Sequence, residues 1–404
     1  MDSNMIKGVK ALKLILSFTM GLFLIAGCDQ DAKNETPVHS AVPWIMEAVS
    51  MAEKIPVKLH QMEHDRCLSK TAAVALEVGV FDQTDNILKS IRSWRKADLY
   101  AKLARSCYLK DKVAEGDELV KKARDYLQGN QFEDWQVSRV HVGLEQAGHV
   151  KGKRTDANLL TQLRRADQAK LLPSMVQGNV STTNLVDMLT RLEASTNSVM
   201  DIDIAAATID TYRILYEKSQ EKEDLKDLRK RVIGGVEKTF RNVHTSIACY
   251  KLLDFCNSAV AAGDKNFVGY LSDMLEDRLG MIRVDMRIPV LLRYSEFLIE
   301  QGHKEKSLEK LRYVEDKIDD SAIFFADKPV FLARCGVIYG KTGNTEKMLE
   351  LLKKALSMLN TVKNSRPRAM TAVDFCHVCA RGGVESPELL QSMKELNSNL
   401  SDPW

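Results

Sequence analysis

The segment Pro329–Asn360 holds two apolar stripes separated by the tetrapeptide Lys341-Thr342-Gly343-Asn344. In the first half Leu332, Cys335, Gly336 and Tyr339 recur at the three- and four-residue steps of one helix face. Met348, Leu351, Leu352 and Ala355 do the same in the second half. Gly343 can take the positive φ that ends one helix before the next begins. Gly336 and Ala355 are small where the two helices must approach closely. A hairpin of this kind cannot bury its apolar face alone, so it demands neighbours of its own type.

Turns of the same kind are expected at Gly79, Asp111, Gly148, Gly178, Ser219, Gly263, Gly302, Gly343 and Gly383, about 38 residues apart on average. Amphipathic runs flank several of them, with Ala104 and Ala123 at the small positions around Asp111. The tripeptide Asp254-Phe255-Cys256 before Gly263 returns as Asp374-Phe375-Cys376 before Gly383, in the same register. Long Leu, Ala, Lys, Glu and Arg runs without period-two alternation predict an all-α chain. The expected architecture is an α-α superhelix of about nine stacked antiparallel hairpins over residues 44–401, with Pro387–Leu400 capping the last repeat.

The small residue seven before a glycine turn, and the alanine twelve after it, resemble the tetratricopeptide repeat. Gly336, Gly343 and Ala355 match that pattern, whereas Met348 replaces the alanine expected five after the turn. Most intervals exceed the roughly 34 residues of that family, so longer helices or loops must absorb the difference. The resemblance implies a peptide-binding groove lined by the first helices. Carried over copy by copy, that groove would present Arg105, Asn257, Glu296, Glu300, His377 and Arg381. Their mixed signs imply no simple acidic or basic ligand, and each also suits the wet face of an amphipathic helix.

The amino terminus carries a different message. Lys7, Lys10 and Lys13 precede the apolar run Leu14–Ile25, too short to span a bilayer comfortably but suited to a signal peptide. Ile25-Ala26-Gly27-Cys28 resembles the lipobox of bacterial lipoproteins. That resemblance implies removal of residues 1–27, lipidation of Cys28, and an array tethered to a membrane outside the cytoplasm by residues 28–43. Asp29 resembles the signal that retains such proteins in the inner membrane.

Without residues 1–27 the chain keeps 55 basic against 54 acidic side chains, a balance that leaves no electrostatic footprint for nucleic acid. No Gly-rich phosphate loop, Gly-x-Ser-x-Gly elbow or His-Glu-x-x-His motif is present. An all-helical glycosidase would need paired carboxylates in an aromatic-lined cleft, and the chain has four tryptophans. His60, His64 and Cys67 could share one helix face as metal ligands, but no fourth ligand is identifiable. Cys376-His377-Val378-Cys379 lies inside a helix rather than at its start, where the dipole would activate a thiol. Cys256, Cys335 and Cys376 fall on packing positions. The expectation is a lipid-anchored, non-catalytic scaffold for an envelope protein or peptide, without cofactor or metal. A helical-toroid enzyme on envelope glycans or peptides, or a metal or redox sensor, is the alternative.

Overall fold

The computed structural model describes residues 38–152, 202–220 and 245–402, together with Trp404 and a few positions between 167 and 234. The expected turn at Gly178, Cys28 and the apolar leader lie outside these residues. Among the described residues the chain is helical, without strands. The helices are α1 (Val38–Lys54), α2 (Val57–Glu77), α3 (Phe81–Ser90), α4 (Arg95–Leu109), α5 (Val113–Gln128) and α6 (Asp134–Val150). Then follow α7 (Ile202–Gln220), α8 (Thr245–Ala261), α9 (Lys265–Leu279), α10 (Val284–Glu300) and α11 (Lys304–Lys317). The last four are α12 (Lys328–Lys341), α13 (Thr345–Asn360), α14 (Ser365–Arg381) and α15 (Pro387–Ser398).

Hairpins form where the turns permit. Gly79, Gly152, Gly263, Gly302, Gly343 and Gly383 all take positive φ, and Asp111 is the one non-glycine among the described residues to do so, at 59°. Asp can hold that conformation because its short polar side chain tolerates it. Two expected turns move. Gly148 sits inside α6, and the reversal falls four residues later at Gly152 (φ 84°); Ser219 lies inside α7.

The opening hairpin is packed by size complementarity. A Cβ at Gly336 would lie 3.1 Å from the Met348 carbonyl and 3.2 Å from Leu351 Cβ, so glycine is what lets α12 and α13 touch. A Cβ at Gly340 would fall 2.5 Å from Met348 Sδ. Met348, the departure from the tetratricopeptide pattern, is therefore accommodated by a glycine three before the turn. The hairpin α4–α5 inverts the pair: the Tyr108 ring fills the space above Gly116. Tyr108 and Gly116 stand at the same offsets from Asp111 as Gly340 and Met348 do from Gly343.

First helices stack on first helices in the order α7, α8, α10, α12 and α14. The series then continues into α2, α4 and α6. Chain order and spatial order thus part company at α14, whose neighbour is an amino-terminal helix. The hairpin partner of α14 is α1, not α15. Trp44 of α1 is 2% exposed, lies edge-on to Phe375 at 6.3 Å, and donates its indole N–H to the Val384 carbonyl at 2.8 Å. Ala41, Ile45, Ala48 and Met51 share that buried face. The expected cap, α15, packs instead across α1 and α13. Asn397 of α15 is 6% exposed and donates to Glu47 at 2.6 Å and to Ser50 at 2.9 Å. Residues 38–43, expected to belong to the tether, are helical, with Ala41 fully buried.

Candidate partner-binding face and chain-closure site

Polar rows run along the first helices, and they bind one repeat to the next. Nine residues before each turn stand Lys70, Asp254, Arg293, Arg334 and Asp374. Asp254 meets Arg293 at 2.7 Å, and Asp374 meets Lys70 at 2.9 Å. The second pair joins α14 to α2, so closure of the chain repeats a rung used elsewhere in the array. Lys251 adds a further rung to Asp210 of α7 at 2.6 Å. Two residues before the turns, Arg381 of α14 grips Glu77 of α2 through Nε at 2.8 Å and Nη2 at 2.7 Å.

These rungs absorb half of the residues expected to line a groove. Glu296 lies 3.5 Å from Arg334 and 3.7 Å from Lys341, both of the following first helix. Arg381 is committed to Glu77. His377 is a correction: at 3% exposure it is buried between α14 and α2, with Nε2 at 2.9 Å from the Thr71 hydroxyl. A groove position becomes an interior one here because the next first helix covers it. Arg105 and Asn257 are half-buried, and Glu300 is exposed on the last turn of α10.

The closure carries its own electrostatics. Thr71 donates its hydroxyl to the Cys67 carbonyl, so His377 Nε2–H supplies the proton of the 2.9 Å bond. Burial lowers the His377 pKa below its ordinary value, an effect partly offset by Asp374, whose Oδ1 is 3.5 Å from Nδ1. Asp374 is subject to burial that would raise its pKa, yet His377 and Lys70 together hold it below the usual value. Asp254, at the equivalent position, goes the other way: burial outweighs Arg293 and Lys251 and pushes it up. Without a neighbouring histidine, the same aspartate loses the contest with desolvation.

The three possible metal ligands do not converge. α2 kinks at His60 (φ −135°, ψ 40°), which takes that residue off the face of the other two. His60 Nδ1 faces Arg366 Nη1 at 3.1 Å, His64 faces Asp65 at 2.9 Å, and burial pushes the Cys67 thiol up to about 12. Among the described residues no group of three or more His, Cys, Asp or Glu side chains is placed to hold a metal ion. Cys376 and Cys379 are fully buried free thiols, raised well above 9.0 by desolvation, as suits core residues and not a redox pair.

Sequence reasoning missed Lys70, Glu77 and Arg293, and read Asp254 and Asp374 only as members of a repeated tripeptide. A signal was available for four of them: a charged residue of either sign nine before each of these turns, with Glu77 and Arg381 likewise sharing an offset of two.

No family model and no curated protein matches the chain. One solved structure, described as a circular tandem repeat protein with novel repeat topology and enhanced subunit contact surfaces, is similar at 14% identity and a TM-score of 0.26. The alignment covers 91% of this chain and 96% of that one. At that score the likeness adds nothing to the helix packing, which by itself defines an all-α array of stacked antiparallel hairpins. No described helix is long and apolar enough to cross a membrane.

Proposed function

We propose that the protein is a lipid-anchored, non-catalytic scaffold of the bacterial cell envelope, held by an acylated Cys28 and presenting its helical array to another envelope protein or peptide. The observation that carries this reading is the pairing of a lipobox-like Ile25–Cys28 with an array whose first-helix charges tie repeat to repeat. Such an array offers a stiff continuous surface, and its polar rows serve shape before chemistry. Two or three acyl chains, at about 0.8 kcal/mol per buried methylene, anchor firmly. Asp29 favours the inner membrane.

Replacing Cys28 with Ala should release the protein from the membrane fraction; unchanged association refutes acyl anchoring. Charge reversal at Glu296 and Glu300 should abolish recovery of a stoichiometric partner with the acylated protein. Turnover of an envelope glycan or peptide by the purified protein, with no partner recovered, would overturn the scaffold reading.

A helical-toroid enzyme is the second reading, favoured by one feature: the first and last parts of the chain pack together, as a toroid requires. It also requires carboxylates free to face one another. Asp254, Glu296 and Asp374 are instead each engaged by a cation of the adjacent helix.

A further inference from the structure

α14 and α2 run in the same direction, as the pairings Arg366–His60, Lys70–Asp374 and Arg381–Glu77 require. So do α7 and α8, tied by Asp210–Lys251 and Glu217–Ser258, and α4 and α6, matched at Trp94–Trp135 and Ala101–Gly143, while Asp254–Arg293 holds α8 and α10 level at nine residues before their turns. The starts of the first helices therefore define one edge of the array, and the glycine turns define the other. Ten large apolar side chains stand exposed among the described residues, and seven of them lie on the edge of helix starts. Leu59 and Met62 belong to the first turns of α2, Met281 and Met286 flank the start of α10, and Trp135 opens α6. Phe324 and Phe325, 58% and 52% exposed, project from the ten-residue connection 318–327, where the equivalent connections 280–283 and 361–364 have four residues.

We infer that this edge is a membrane-contact surface, whose apolar tips enter the outer leaflet of the bilayer that carries the lipid anchor. The inference rests on the lipid-anchored reading for its reach. Val38 begins α1 at the opposite, glycine-turn edge, as the Trp44–Val384 bond shows. About ten residues separate it from Cys28, which span roughly 33 Å when extended. The 17 residues of α1 rise about 25 Å, so the tether can run the height of the array and let the apolar edge meet the bilayer.

The tips suit a fluid surface. They sit at the starts of α10, α12, α2 and α6, with α14 and α4 between them, so most are roughly 8–10 Å or more apart and enter lipid independently, without a complementary relief. Pairing with a second copy through this edge would place the two tether entries about 50 Å apart on opposite outer faces. That separation does not fit two anchors in one leaflet. Lys58, Arg283 and Lys363 are exposed at the edge, but so are Asp316, Asp319 and Asp327, so apolar insertion and not charge makes the contact.

The test uses the chain from Cys28 onward carrying Cys28→Ser, so that no acyl group can attach. It should float with phosphatidylethanolamine–phosphatidylglycerol vesicles and stay bound in about 0.5 M salt. Phe324→Ser/Phe325→Ser should weaken flotation at least about tenfold, as should Leu59→Ser/Met62→Ser, with the thermal melt of each unchanged. No flotation, flotation indifferent to both variants, or a concentration-dependent dimer abolished by them overturns the inference. Acyl anchoring is read separately by fractionation of Cys28→Ala cells, so either idea can fail without the other.

Discussion

Lys70 and Asp374 are 304 positions apart in sequence, and Lys70 Nζ lies 2.9 Å from Asp374 Oδ1. The pair marks where the array closes, but its side chains are 43% and 35% exposed. Exposed ion pairs contribute about 0.2–1 kcal/mol. A double-mutant cycle with Lys70→Ala and Asp374→Ala should give a coupling below about 1 kcal/mol by denaturant unfolding. A coupling above about 2 kcal/mol would mean that charge, not packing, holds the chain ends together.

Packing is assigned to Trp44. Trp44→Ala removes a buried indole and its bond to Val384, and should cost about 3–5 kcal/mol. Met46, 45% exposed on the same helix, is the control, and Met46→Ala should stay within about 0.5 kcal/mol. Equal effects of the two changes would show that α1 is not integral to the last hairpin.

The size-complementary pair in α12–α13 makes a compensatory prediction. Gly340→Ala places a Cβ 2.5 Å from Met348 Sδ, but that half-buried, flexible side chain can swing aside, so the loss should stay within about 1 kcal/mol after the better helix propensity of alanine. Met348→Ala in the same chain should restore most of that loss. Failure of rescue would place the cost of Gly340→Ala elsewhere.

Acid should loosen the closure. The His377 pKa is lowered in the folded state, so the unfolded chain binds the proton more readily and stability falls as pH drops through the ordinary value of 6.5. Asp374, also lowered, adds a loss in the same direction at still lower pH. Between about pH 7.5 and about pH 5.5 the wild-type Tm should fall more steeply than that of His377→Gln. Parallel slopes for the two proteins would remove His377 as the cause.

The hairpins were legible because their determinants are local. Gly343 announces itself by backbone freedom, and Gly336 and Ala355 by their fixed distances from it. At Gly148 and Gly152 two glycines compete within five residues, and only packing decides which turns the chain. Residues 38–43 hid because Pro43 reads as a helix breaker; it stands inside α1, past the first turn, and costs the helix one backbone donor there. The partner of α14 was not legible in the same way. Pro387 begins an amphipathic run at the right distance from Gly383, and local pattern cannot say that a helix made over 300 residues earlier fills the place first. The nine-residue offset of Lys70 from Gly79 and Asp374 from Gly383 carried that information, but only to a reading that already compared rungs.

The helix that completes the last hairpin leaves the ribosome more than 300 residues before the helix it pairs with. Until α14 is made, Trp44 lacks the Phe375 ring and the Val384 carbonyl that cover it. Closure must gather segments with a sequence separation of more than 300 residues, which makes it a late and slow event in folding. Truncation at the carboxyl terminus would therefore injure the helix at the other end of the described chain.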